Sequence, residues 1–114
     1  MTYATLTEDP EQFNQTLLDC IEDGMVAILG EQVLESLFIR LETDQGLRRY
    51  EIPHNIDTFF AELEKAFGSP SGKTVGRFII KLLYARLGLK FDAQANRLLV
   101  DYVRDARRES GRKN

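Results

Sequence analysis

Between Glu31 and Glu42 the chain reads EQVLESLFIRLE, and its apolar residues Val33, Leu34, Leu37, Phe38 and Leu41 recur three and four apart, with Glu31, Glu35, Arg40 and Glu42 away from that stripe. This period belongs to an α-helix with one buried face. It returns along the chain: Phe13, Leu17, Cys20, Ile21 and Gly24, then Phe59, Leu63, Ala66 and Phe67 with Phe60 beside them. Val75, Ile79, Leu82 and Leu83, with Phe78 on the flank, form the next stripe, and Leu98, Leu99, Tyr102 and Val103 the last. No stretch alternates apolar and polar residues for long enough to make a strand. The expected fold is therefore all-α, a compact bundle of about five helices without a β-sheet. Its 114 residues suffice for one buried core but not two, so residues 1–114 are expected to form a single domain.

Local signals set the boundaries. Asp9-Pro10-Glu11-Gln12 supplies a capping carboxylate, a proline suited to a first turn and a glutamine placed to complete a capping box. Asp23-Gly24 is expected to weaken or interrupt the first helix, and Gly30 to interrupt it again; the second should stop near TDQG at 43–46. LRRYEIPHNID, 47–57, is the one stretch expected to be extended, because Pro53 disfavours helical conformation at Ile52. Asn55 is placed to cap the third helix.

GSPSGKT, 68–74, has the flavour of a nucleotide-binding phosphate loop. That motif needs four residues between its glycines and a strand in front of it. Here three residues separate Gly68 from Gly72, and DTFFAELEKAF before them has helical spacing. The stretch reads instead as a helix-to-helix corner, with Gly68 ending the third helix in a left-handed conformation, Ser69 capping the fourth and Pro70 as its first residue. The fourth helix should stop at Gly88, Asp92 can cap a fifth over 92–109, and 110–114 reads as a frayed basic tail.

At 43% hydrophobic and 29% charged residues, the composition is that of a folded rather than a disordered chain. No window holds the roughly 18 uncharged apolar residues of a membrane span, and MTYATLTEDPEQ has neither the basic nor the apolar region of a signal peptide, so a cytoplasmic location is expected. The single cysteine, Cys20, shares a helical face with Leu17 and reads as a buried thiol. One His and one Cys far apart in sequence cannot assemble a metal site or a nucleophile–base pair, and the carboxylates fall on first turns and polar faces. No catalytic residue, metal or cofactor is expected, and His54 reads as a surface residue in a turn.

Charge is unevenly distributed. Residues 1–35 hold eight carboxylates and no Lys or Arg, so the rest of this chain of net charge −3 carries +5. The clearest basic cluster is Lys73, Arg77 and Lys81, four residues apart along the fourth helix, with Arg48 and Arg49 placed to extend it. Such a face suits a protein partner, and a basic helix after a tight corner also fits a helix-turn-helix DNA reader. An overall pI near 5.2 makes nucleic acid the secondary reading. MVAILGEQVLESLFIRL, apolar on more than one side, adds a possible homodimer: Val26, Leu29, Val33 and Leu37 mark one line, and Ile28, Leu34, Phe38 and Ile39 broaden it.

Leu29-Gly30, LESLFIRLE, Glu51-Ile52-Pro53, Phe59 with AELEKAFG, and VGRFIIKLLYARLGL together resemble the small all-helical Nitrosopumilus output domain, whose members carry an LG…L…L…IP…F…L…FG…I…L skeleton. The resemblance covers about 17–89 and leaves the fifth helix outside it. It implies a domain that stands alone or beside signalling modules and acts in signal output or partner binding. The functional expectation is a non-enzymatic interaction module in a cytoplasmic regulatory system, with a helix-turn-helix-like DNA-binding regulator as the alternative.

Overall fold

The computed structural model describes residues 10–112, and the expected N-cap at Asp9 lies outside them. Five α-helices follow in order: α1 (Pro10–Leu29), α2 (Glu31–Gln45), α3 (Ile56–Phe67), α4 (Ser69–Leu87) and α5 (Leu99–Arg112), with a 3-10 helix over Arg49–Asn55. No strand occurs among the described residues. Helix α4 is the centre of the bundle and packs on α1, α3 and α5, while α2 rests against α1. Phe13, Leu17, Ile21 and Met25 of α1, Phe59 and Leu63 of α3, and Ile79, Ile80 and Leu83 of α4 are fully withdrawn from solvent.

Helix α1 runs through Asp23-Gly24 without a break, contrary to the sequence expectation. Gly24 is buried where α1 crosses α4, and a Cβ there would lie 3.0 Å from Ile79 Cγ1. The missing side chain serves a close helix crossing, and that packing offsets the weak helix propensity of glycine. The break comes at Gly30 alone, which splits MVAILGEQVLESLFIRL between two helices. Leu34, Leu37, Phe38 and Leu41 of α2 are buried, Val33 is half-buried, and Val26, Ile28 and Ile39 remain exposed.

The segment expected to be extended is a 3-10 helix. Arg48, just before it, keeps an extended backbone; its N–H donates to Glu51 Oε1 at 2.9 Å, and the Glu51 N–H donates back to the Arg48 carbonyl at 2.9 Å. A proline opposes the α conformation in the residue before it, and the tighter 3-10 turn is another way to meet that restriction. Ile52 and Pro53 are thereby buried against α1 and α3.

At the 68–74 corner, Gly68 has φ 87° and ψ 155°, a region open to glycine but outside the left-handed helical well. Gly68 is also the N-cap of α4, so Ser69, expected there, takes the first helical position and donates its hydroxyl to Glu64 Oε1 at 3.2 Å. The Thr74 hydroxyl donates to the Pro70 carbonyl at 3.0 Å.

Helix α5 starts seven residues later than Asp92 predicts. Phe91 packs on the rings of Tyr84 and Tyr102, and the Gln94 N–H donates to the Tyr102 hydroxyl at 2.7 Å, so residues 91–98 form a loop across the end of α4. These contacts override the local capping signal. Leu98, expected in the buried stripe, is 64% exposed. At the other end the helix continues to Arg112, and Ser110, expected in a frayed tail, is buried; residues 113–114 lie outside the described residues.

One buried carboxylate escaped the sequence reading. Glu62 of α3 is only 2% exposed, and its Oε2 approaches Arg40 Nη2 of α2 at 3.0 Å without a well-formed hydrogen bond. The pair joins α2 to α3 by charge, where a lone buried carboxylate would be strongly disfavoured.

Candidate functional site

Lys73, Arg77 and Lys81 all lie exposed on the outer face of α4, away from the buried line of Val75, Ile79 and Leu83. Neither Lys73 nor Arg77 is ion-paired with a carboxylate among the described residues, while Lys81 Nζ stands 5.9 Å from the centre of the Phe91 ring. Lys73 and Arg77 line one side of an open groove of about 720 Å³ between α3, α4 and the start of α5. Phe60, Leu99 and Val100 contribute apolar walls, and Asp57 and Glu64 of α3 also line it.

Arg48 and Arg49 do not join this row. Arg49 sits over the Phe38 ring at 4.6 Å and approaches Glu22 at 3.4 Å and Glu35 at 3.5 Å, which ties it to α1 and α2. Arg48 is exposed and reaches the Tyr50 hydroxyl at 3.5 Å. Arg86 approaches Asp23 of α1 at 2.8 Å. Part of the acidic first third is thus matched within the molecule by later arginines. Each of these solvent-exposed pairs adds only about 0–1 kcal/mol.

A second concavity, of about 450 Å³, is lined by His54, Arg104 and Arg107 among others. The Arg107 guanidinium is half-buried, donating to Asn14 Oδ1 at 2.7 Å and to the Pro53 carbonyl at 3.3 Å, 4.5 Å above the Phe13 ring. Burial lowers its pKa from the ordinary arginine value. It fastens α5 to α1 and the 3-10 helix, and nothing in local sequence spacing reveals a contact between positions 14 and 107. His54 is exposed, with Nε2 3.4 Å from the Asn14 side-chain nitrogen.

Cys20 is fully buried, and burial pushes its thiol from an ordinary 9.0 to about 11. A thiol whose native pKa is raised favours the folded state below pH 9, where the unfolded form is still protonated, and that contribution is lost as pH rises towards about 11. The rise from 9.0 to about 11 is equivalent to roughly 2–3 kcal/mol. Stability measured by urea unfolding is expected to fall across this window, and to fall less in Cys20→Ala. Native Cys20 should react with iodoacetamide only as fast as the chain opens; rapid alkylation at pH 8 in the folded protein would contradict the buried assignment.

Among the described residues no helix is long and apolar enough to cross a membrane, and no three His, Cys, Asp or Glu side chains are grouped to hold a metal ion. Comparison with protein-family models, curated proteins and solved structures finds no match to this chain.

Proposed function

We propose that this chain is a non-enzymatic protein-interaction module of a cytoplasmic regulatory system, and that it contacts its partner through the α4 face. The observation that supports this most is the pair Lys73 and Arg77: cations without an ion pair among the described residues, on the rim of an apolar-walled groove of about 720 Å³. Clefts that combine apolar walls with a few convergent polar groups are where proteins bind other molecules. The resemblance of 17–89 to the Nitrosopumilus output domain points the same way, towards signal output by contact.

Exchange of Lys73, Arg77 and Lys81 for Glu tests the reading. All three side chains are exposed, so the variant should keep its helical circular dichroism and its melting temperature. It should lose the protein that the wild type captures from its native cell extract. Wild-type binding should weaken as salt is raised, with association slowed more than dissociation. Identical captured partners from both proteins would refute the assignment.

The alternative is a DNA reader, favoured by the tight α3–α4 corner. Asp57 and Glu64 in the same groove oppose phosphates on the surface such a reader would use. Specific DNA binding whose log–log salt slope is about −3, for three phosphate contacts, and which vanishes in the triple variant, would select that reading instead.

A further inference from the structure

The groove has rims of opposite sign, and we propose that its occupant is a second copy of this chain, docked about a two-fold axis. This inference rests on the interaction reading above and names the partner for the same surface.

Asp57, Ala61 and Glu64 follow one another at positions i, i+4 and i+7 of α3 and line one side; Lys73 and Arg77, at i and i+4 of α4, line the other. The carboxylates are not ion-paired among the described residues: Asp57 Oδ1 accepts the Thr58 N–H at 2.9 Å, and Glu64 Oε1 accepts the Ser69 hydroxyl at 3.2 Å. Two acids and two bases therefore face one concavity without neutralising each other, while Arg97, which also lines it, is paired with Asp105. Helices α3 and α4 double back at Gly68 and set Glu64 beside Gly72, so Glu64 stands near the level of Lys73, and Asp57, seven residues and about 10 Å further along α3, stands nearer the level of Arg77.

A uniformly acidic partner would meet Asp57 and Glu64, and a uniformly basic one would meet Lys73 and Arg77. A two-fold contact avoids both conflicts, because it sets each rim against the opposite rim of the other copy. With the axis along the groove, Asp57 of each chain faces Arg77 of the other and Glu64 faces Lys73. Leu98, 64% exposed on the loop at the groove's edge, supplies the apolar knob. Charges fix orientation and speed encounter, while the buried apolar centre carries most of the affinity.

Sedimentation equilibrium at low salt tests this directly. The wild type should show a reversible monomer–dimer equilibrium that shifts to monomer as salt is raised. Lys73→Glu/Arg77→Glu makes both rims acidic, and Asp57→Lys/Glu64→Lys makes both basic; each should be monomeric, with self-association weakened about tenfold or more. Mixing the two variants should restore a dimer containing one of each. Leu98→Asp, at an exposed site, should abolish association without changing the circular dichroism, which keeps the test valid if a reversal variant misfolds.

A wild type that stays monomeric at every concentration overturns the inference, as does a dimer indifferent to both reversals and to Leu98→Asp. A monomer that binds a different protein through Lys73 and Arg77 overturns the second-copy assignment but leaves the interaction reading intact. A groove dimer whose other captured partners ignore the charge reversals has the opposite meaning, supporting the second copy while removing any other partner from this face.

Discussion

Gly72→Ala is expected to destabilise the protein severely although it adds one methyl group to a helix. The added Cβ would lie 2.7 Å from Glu64 Cα, 2.8 Å from Glu64 N and 2.9 Å from the Leu63 carbonyl carbon. All three atoms are backbone, so no rotamer change relieves the contact and α3 and α4 must move apart. Overpacking typically costs about 1–3 kcal/mol and occasionally more, and this case is expected beyond that range, at about 3–5 kcal/mol, because backbone alone meets the new methyl and packing around Leu63 is lost with the separation. Alanine returns about 1 kcal/mol through helix propensity. A net loss of about 2–4 kcal/mol should lower the melting temperature by roughly 10–20 °C in a domain of this size. Gly111, in α5 with open space where its Cβ would go, is the internal control. Gly111→Ala should stabilise by up to about 1 kcal/mol. Equal effects of the two substitutions would show that α3 and α4 are not in close contact at Gly72.

Phe59→Ala should cost about 3–5 kcal/mol, a large part of the roughly 5–15 kcal/mol that holds a domain together. The Phe59 ring is fully buried and lies 5.7 Å from that of Phe60. Phe67, on the same predicted stripe, is only half-buried at the end of α3. Phe67→Ala should cost about 1–2 kcal/mol, because the ring already meets solvent. Chemical denaturation of both variants reads the difference, and a greater loss at Phe67 than at Phe59 would mean that α3 is rotated from the orientation described.

Helix existence was legible because the apolar period survives wherever a helix rests on one neighbour. It identified α2 and α3 well, and Phe59, Leu63 and Ile79 are buried as expected. It served less well for α4, which touches three helices. There the buried arc also takes in Gly72, Gly76, Ile80 and Tyr84, and leaves Leu82 only half-buried. Glycines mark the closest helix approaches yet add nothing to an apolar pattern, so the true arc looked displaced. A Cβ on Gly76 would come within 2.6 Å of a Leu99 methyl, a contact across 23 positions that no local rule anticipates. The start of α5 was misplaced for the same reason: the ring cluster of Tyr84, Phe91 and Tyr102 outweighs the cap offered by Asp92.

The candidate surface was legible in part. Spacing alone put Lys73, Arg77 and Lys81 on one face. Arg48 and Arg49 were grouped with them as part of a stretch expected to be extended, yet the 3-10 turn and the carboxylates of α1 and α2 hold Arg49 elsewhere. The acidic rim could have been found from the sequence, since Asp57, Ala61 and Glu64 share a helical face that the 68–74 corner folds towards α4.

Amide chemical-shift mapping locates the contact surface on the molecule. The isotope-labelled chain is titrated with the protein captured by the wild type, and followed on dilution when that protein is a second copy. Contact through the α4 face should concentrate the perturbations along the exposed side of α4 from Lys73 to Lys81, in Asp57–Glu64 of α3 and in the 94–100 segment, with the same amides silent in the charge-reversed variant. Perturbations confined to the exposed apolar residues Val26, Ile28 and Ile39 of α1 and α2, with the α4 face unmoved, would contradict it.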